Sequence, residues 1–173
     1  MASLTERMIR AAKLDVSLYE EVEADHNAMR QAMFVVILSS LALGISSLSR
    51  IGVRGLVWGT IAALMGWFIW AFLTYFIGTR ILPEAQTEAD MGQLLRTIGF
   101  SSSPGILRVL GVVPTLWGLV AFVTSIWMLI AMVIAVRQAL DYRSTLRAVG
   151  VCLLGWLVQG IVLYVLYGIS RTA

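Results

Sequence analysis

The stretch that decides the fold is 109-VLGVVPTLWGLVAFVTSIWMLIAMVIAV-136, which has 28 residues and no ionisable side chain. As one α-helix it would be about 42 Å long, whereas the hydrocarbon core of a bilayer is about 30 Å thick. Extending it back through Ile106 and Leu107 gives two short helices, at about 105–118 and 120–137, with Gly118 near the turn. Pro114 would kink the first of them, because proline lacks the backbone donor.

Three further apolar runs are long enough to cross a bilayer, at about 32–49, 55–81 and 148–169. The chain is 59% hydrophobic and 13% charged, far more apolar than a soluble domain. Its mean hydropathy is +0.85. The first run begins near Ala32, after an acidic segment, which is unlike a cleavable signal peptide. The sequence therefore predicts an all-α polytopic membrane helix bundle with a retained first span.

The basic residues decide between four and five spans, because cytoplasmic loops carry an excess of Lys and Arg. With a cytoplasmic N-terminus and five spans, ten of the 13 basic residues lie inside, and only Arg50, Arg54 and Arg171 lie outside. Four spans would give eight inside and five outside. All ten acids also fall inside in the five-span arrangement. We therefore expect an integral membrane protein with five spans and a cytoplasmic N-terminus.

Residues 1–30 form an amphipathic cytoplasmic segment ahead of a membrane domain at 31–173. We expect one helix at about 4–13 and a second that starts near Leu18 and either ends before the first span or continues into it. Capping boxes are predicted at Ser3 with Glu6 and at Ser17 with Glu20. An apolar stripe that suits a membrane surface is formed by Leu4, Met8, Ala12 and Val16.

The loop after the second span, 81-ILPEAQTEADMGQLLRTIGFSSSPG-105, predicts another short helix at about 87–99. Thr87 and Asp90 resemble a capping box, and Gly99 a helix terminator. The apolar side chains share one helical face. We expect this helix to lie on the bilayer or to pack under the bundle.

Small residues mark two spans as candidates for helix packing. One ridge opens with 55-GLVWG-59, and the last span is thinned by glycines. Packing within the monomer is the favoured interpretation, and a dimer interface is the alternative. The candidate residues are Gly55, Gly59, Ala63, Gly150, Gly155 and Gly160.

Gln159 is the most polar side chain deep in a span, and we expect it to hydrogen-bond a facing helix through Thr124, Ser125 or Thr60. Trp67, Trp127 and Trp156 lie too deep for the membrane interface, so packing or a bound hydrophobic ligand must occupy them. The predicted spans hold no Asp, Glu, Lys, Arg or His at mid-membrane, which argues against a proton-coupled pathway.

An acidic cluster precedes the first span and consists of Glu20, Glu21, Glu23 and Asp25. It is either a solvated helix face or a site for a cation or basic partner. His26 and Cys152 are the only residues of their types, so no metal site is expected, and no cofactor is predicted. The basic residues form no stripe with interleaved aromatics, which excludes nucleic acid. No HExxH, Gly-x-Ser-x-Gly or phosphate loop occurs, so we expect no enzyme.

The ordered segments 14-LDVSLYEEVEAD-25, 31-QAMFVVIL-38, 74-TYFIGTRIL-82, 94-LLRTIGFSSSPG-105 and 126-IWMLIAMVIAVRQAL-140 resemble the bacterial branch of the Yip-domain family of Ypt/Rab-interacting membrane proteins. The resemblance covers nearly the whole chain. It implies five membrane helices, a cytoplasmic N-terminus and a location in a bacterial cytoplasmic (inner) membrane.

Three functions remain open from the sequence. The first is a non-enzymatic scaffold or adaptor that binds membrane proteins or lipid through residues 1–30 and the 82–99 loop. The second is an accessory subunit of a larger respiratory or photosynthetic complex. The third is a small-solute channel or carrier gated around Pro114 and Gln159. A homo-oligomer is compatible with each of them.

Overall fold

The computed structural model describes the backbone of residues 2–172 and the side chains of residues 2–48 and 51–161. These residues form helices and loops, with no strand among them, as the sequence predicts. The helices are α1 (Leu4–Ala12), α2 (Val16–Ala24), α3 (Ala28–Ser46), α4 (Leu48–Phe76), α5 (Met91–Ser101), α6 (Trp117–Ala139) and α7 (Thr145–Thr172). A π-helical turn (Ile77–Ile81) extends α4, and a 3-10 segment (Ser103–Val112) follows α5.

The bundle has two ends that differ in composition. At the head end α3 begins, α4 ends, α5 begins, α6 ends and α7 begins, and α1 and α2 pack there. At the tail end lie the α3–α4 turn and the turn between the 3-10 segment and α6. All ten acids of the chain fall in residues 6–25, 84–90 and 141, and these segments belong to the head end.

The chain from α5 into the 3-10 segment runs alongside α3 in the same direction. Gly99 contacts Ala32, Gly105 contacts Ser39 and Gly111 contacts Ser46. Helix α6 then returns beside the 3-10 segment, since Arg108 reaches Thr124 and Ser125. These contacts make the 3-10 segment part of the bundle rather than a loop outside it.

The expectation of five membrane helices is met only in part. Among the described residues, three helices are long and apolar enough to cross a membrane, at Ala28–Ser46, Ile51–Ile81 and Trp117–Ala139, and Thr145–Ile161 is a shorter apolar helix. The predicted helix at 105–118 is wrong, because the 3-10 segment ends at Val112 and α6 begins at Trp117. Pro114 therefore lies in the intervening turn and kinks no helix, and Gly118 lies in the first turn of α6. The side chains of Arg50, Arg171 and residues 162–169 of the predicted last span lie outside the described residues.

The helix starts use side chains that the sequence identified only partly. Ser3 caps α1, since its hydroxyl accepts from the Glu6 amide, as predicted. Helix α2 is capped by Asp15 rather than Ser17, and it ends before Asn27 instead of continuing into α3. The capping box of α5 pairs Asp90 with Gln93. The predicted partner Thr87 accepts instead from the Glu84 amide, in the preceding turn.

Helix α5 is the centre of the head end rather than an interfacial helix. Every residue from Leu94 to Ser101 is buried, and α5 contacts α1, α2, α3, α4 and α6. Gly99 lies inside this helix and does not terminate it. A Cβ at Gly99 would lie 2.8 Å from the Ala32 Cβ and 3.2 Å from the Ala32 Cα, so the missing side chain lets α5 approach the α3 backbone.

Two local features fix the ends of α4. Gly52 has φ +62°, which breaks the helix beside the α3–α4 turn and is a conformation that glycine adopts without strain. At the other end the Tyr142 hydroxyl lies 2.9 Å from the Gly78 carbonyl oxygen and 2.7 Å from that of Leu82. Tyr142 thus ties the π-helical turn to the α6–α7 loop.

Candidate functional site

A buried arginine fastens the two N-terminal helices to the bundle. Arg7 is only 4% exposed, and its Nη2 lies 2.7 Å from Asp25 Oδ2. Its Nε donates to Glu21 Oε1 at 2.9 Å, and its Nη1 donates to Gln31 Oε1 at 2.9 Å. One guanidinium therefore joins α1 to α2 through Glu21, to the C-cap of α2 through Asp25, and to α3 through Gln31.

Arg10 adds a second cation to the same acids. It forms ion pairs with Glu21 and with Asp15, whose Oδ2 lies 2.8 Å from Arg10 Nε. The Arg10 hydrogen bonds lower the pKa of Asp15 and Glu21, and the Arg7 hydrogen bond lowers that of Asp25. Two members of the predicted acidic cluster, Glu21 and Asp25, are thus engaged inside the head.

Groups from α5 and α6 cap the carbonyl ends of the N-terminal helices. Arg96 of α5 is 3% exposed and donates through Nε to the Val22 carbonyl at 2.9 Å and through Nη2 to that of Glu23. Trp127 of α6 donates its indole N–H to the Ala12 carbonyl at 2.7 Å. A cation and a donor at helix C-termini satisfy carbonyls that the helices cannot bond internally.

Five of the acids outside these ion pairs come together from three segments of the chain. Glu20 accepts from Gln138 Nε2 at 3.0 Å. Burial, with Asp141 and then Glu20 and Asp90 nearby, raises the pKa of Glu23 to about 7. Burial and Glu88 raise the pKa of Asp141. We call Glu20, Glu23, Glu88, Asp90 and Asp141 the acidic face.

Among the described residues, the small-residue ridge of α4 makes no close contact with another helix at Gly55 or Gly59. A Cβ at Gly59 would meet no described atom within 4 Å, and the nearest atoms to a Cβ at Gly55 belong to Ile51 of the same helix. In α7, Gly155 packs on the Trp70 ring at 3.0–3.5 Å, and Gly150 reaches Leu82 at 3.8 Å. Gly160 meets nothing within 4 Å among the described residues.

The α4 ridge instead borders a partly open cavity of about 370 Å³ between α3, α4, the 3-10 segment, α6 and α7. Gly55, Gly59, Ala63 and Gly66 form one side of it. The other lining residues are largely aromatic and aliphatic, with Trp67 and Trp70 also on α4, Met128 and Met132 on α6, and Trp156 on α7. Volumes of this size are typical of small-molecule sites.

Arg108 lies in the wall of this cavity. The charge count from the sequence placed Arg108 on the inner side of the membrane, and that placement stays a prediction. In the structure Arg108 Nε lies 3.3 Å from Thr124 Oγ1, and its Nη2 lies 3.3 Å from Ser125 Oγ. These partners lie about 12 Å along α6 from its first residue.

Gln159 also lines the cavity, but its predicted contacts are not formed. Thr124 and Ser125 accept from Arg108, and the Thr60 hydroxyl donates to the Leu56 carbonyl. The side chain of Gln159 makes no hydrogen bond among the described residues. Pro114 is not part of the cavity wall. The two residues of the predicted gate, Pro114 and Gln159, therefore do not line the same cavity.

Sequence reasoning missed Arg7, Arg96 and Arg108 as functional residues. Arg7 falls on the helix face shared with Ala11, at a spacing of four, which is a signal that its side chain turns toward the bundle. Arg96 follows Leu94 and Leu95 within a run of buried residues. Arg108 lies within the predicted third span at 105–118, and a cation inside a predicted span is itself a signal of a polar site. No group of three or more His, Cys, Asp and Glu side chains in the described part of the chain could hold a metal ion.

Comparison with known proteins identifies one family. The sequence model of the Yip1 domain matches residues 16–167, from the start of α2 into α7. Comparison with curated proteins and with solved structures gives no match. The match covers most of the bundle and the helix that carries the acidic cluster, and the chain belongs to the Yip1 domain family of membrane proteins.

Proposed function

We propose that this protein is a non-enzymatic adaptor of the membrane, in which the bundle anchors a preorganised head that binds other membrane proteins. The observation that carries the proposal is the docking of α1 and α2 by Arg7 and Arg96, which holds the acidic face in one arrangement. Binding surfaces that are rigid before the partner arrives lose less conformational entropy on association.

We further propose that the chain crosses the membrane five times with the head in the cytoplasm. The 11 residues of α5 and the ten of the 3-10 segment span about 37 Å at their different rises, and they lie beside α3. This length suffices for a crossing that is not one continuous α-helix. The basic residues Arg80, Arg137, Arg143 and Arg147 at the head end support the cytoplasmic orientation.

The acidic face is the proposed contact for a basic segment of the partner. Charge complementarity between surfaces raises association rates and selects partners. Glu21 and Asp25 would act indirectly, by holding α2 in place, because Arg7 already neutralises them. Glu20 and Glu23 would contact the partner directly, together with the acids at 88, 90 and 141.

Charge reversal on the acidic face tests this role. Glu20→Lys combined with Glu88→Lys should release partners that co-purify with the wild type, since both side chains are exposed. Glu6→Lys makes the same kind of change on α1, outside the acidic face, and should retain them. Deletion of residues 1–28 should also release partners. Retention of the same partners by the double variant and the deletion would reject the adaptor role.

One observation favours an accessory subunit as a second candidate. Helix α4 leaves an unusually large apolar face exposed, with Trp58 69% and Met65 61% exposed. A neighbouring subunit of a larger complex would cover this face, whereas an adaptor would leave it to lipid. Trp58→Ala should then loosen assembly while leaving the head docked, and native mass spectrometry of the two forms distinguishes the candidates.

A further inference from the structure

The cavity in the bundle contains a cation that no acid of this chain can neutralise. Every Asp and Glu of the sequence lies in residues 6–25, 84–90 or 141. The walls around Arg108 come instead from residues 36–70, 98–108 and 128–159, and the wall residues include no acid. The guanidinium bonds only two hydroxyls, both at 3.3 Å, and Nη1 bonds nothing among the described residues.

An unneutralised cation at this depth is costly, because charged groups lose hydration inside the apolar length of a membrane protein. Neighbouring hydroxyls offset only part of that cost, since each contributes a dipole rather than a charge. The missing negative charge must therefore come from outside the chain.

The rest of the cavity selects the form of that anion. Its walls are mainly aromatic and aliphatic, and the additional polar groups include Gln159 and the hydroxyls of Ser39 and Ser40. A small hydrated anion would lose its water there and gain a single ion pair. An amphiphile would gain the same ion pair and also bury an apolar chain against Trp67 and Trp156.

The α4 wall provides the route of entry from the bilayer. A Cβ at Gly59 or Gly66 would meet no atom of the described residues within 4 Å, so no described side chain fills the space beside these glycines. Most of α4 is exposed, with only 11% of its apolar window buried. A membrane lipid reaches this side of the bundle without passing through water.

We infer that the cavity is a binding site for one anionic phospholipid of the surrounding membrane, with its phosphate on Arg108 and an acyl chain among the tryptophans. Gln159 donates a second hydrogen bond to the headgroup. The site is separate from the acidic face and does not depend on the adaptor role.

Native mass spectrometry with added lipids tests the site. The purified protein is titrated with phosphatidylglycerol and with phosphatidylcholine of the same acyl chains. One phosphatidylglycerol should bind roughly tenfold more tightly than phosphatidylcholine, because both lipids carry the phosphate but the choline cation of phosphatidylcholine repels Arg108 and cancels the net negative charge. Arg108→Gln should remove this preference, and Arg108→Lys should keep part of it.

Two further variants separate the cavity from general charge effects. Gly59→Leu fills the open space without altering any charge, and it should abolish retention of both lipids. Arg54→Gln removes an exposed arginine that does not line the cavity, and it should leave the preference unchanged. Gly59→Leu places a good helix former in α4, so it also serves where Arg108→Gln fails to fold.

Two outcomes would overturn the inferred lipid site. Equal retention of phosphatidylglycerol by the wild type, Arg108→Gln and Gly59→Leu would overturn the site. Displacement of the lipid by excess inorganic phosphate would assign the cation to a soluble anion and would also overturn it.

Discussion

Replacing Arg7 by alanine should release α1 and α2 from the bundle without unfolding the membrane helices. The side chain bonds Glu21, Asp25 and Gln31, and two of these partners are charged. A hydrogen bond to a charged group contributes about 1.5–3 kcal/mol. Glu21 keeps Arg10, and Glu21 and Asp25 are 34% and 22% exposed, so water compensates part of the loss. We expect the docked head to lose about 2–3 kcal/mol.

Hydrogen exchange measures this opening directly, because exchange of protected amides follows the local opening equilibrium. A loss of this size raises the exchange rate of amides in α1 and α2 roughly 30- to 150-fold. Amides in the interior of α6 should keep their rates. Arg30→Ala is the matched control, since Arg30 is exposed and has no polar partner among the described residues. Unchanged exchange in α1 and α2 of Arg7→Ala would refute the assignment of Arg7 as the fastening residue.

Three other substitutions test separate parts of the structure. Glu23→Gln should stabilise the head at pH 8 and leave it little changed near pH 4.5. Burial in the folded state raises the pKa of Glu23 to about 7. Ionisation of this carboxyl therefore lowers the free energy of unfolding of the wild type as the pH rises from 4.5 to 7. Melting at the two pH values measures the difference, and an equal response in the variant and the wild type would contradict it. Gly99→Ala should cost about 1–3 kcal/mol, because its Cβ would crowd the Ala32 backbone, whereas Gly59→Ala should be neutral or stabilising. Thermal unfolding compares these two variants, and a neutral Gly99→Ala would disprove the close helix approach. Tyr19→Phe should stabilise by about 1–2 kcal/mol, because the buried Tyr19 hydroxyl has no hydrogen-bond partner among the described residues. A destabilised Tyr19→Phe in the same melting experiment would mean that this hydroxyl is satisfied.

The long apolar helices were predictable because length and hydropathy determine them. The runs predicted at 32–49, 55–81 and 120–137 correspond to α3, α4 with its π-helical turn, and α6. The segment that runs beside α3, which consists of α5 and the 3-10 segment, was not predictable in the same way. It is not one continuous α-helix. Its polar residues, including Arg96 and Arg108, look like loop residues when a span is assumed to be one continuous helix.

The candidate sites depend on contacts that sequence spacing does not report. Arg7 meets Asp25 eighteen positions away, across the turn between two short helices. The acidic cluster was visible in the sequence, but its division into neutralised acids and an acidic face required the arrangement of α1, α5 and α6. The α4 glycines were predicted as a packing ridge, and a cavity produces the same pattern because both require small side chains.

Native mass spectrometry of the protein, extracted gently from its own membrane at natural abundance, tests the adaptor role most directly. We expect a second membrane protein bound in a fixed ratio, which dissociates in Glu20→Lys/Glu88→Lys and remains bound in Glu6→Lys. A lone monomer or homo-oligomer from the wild-type membrane would contradict the adaptor role.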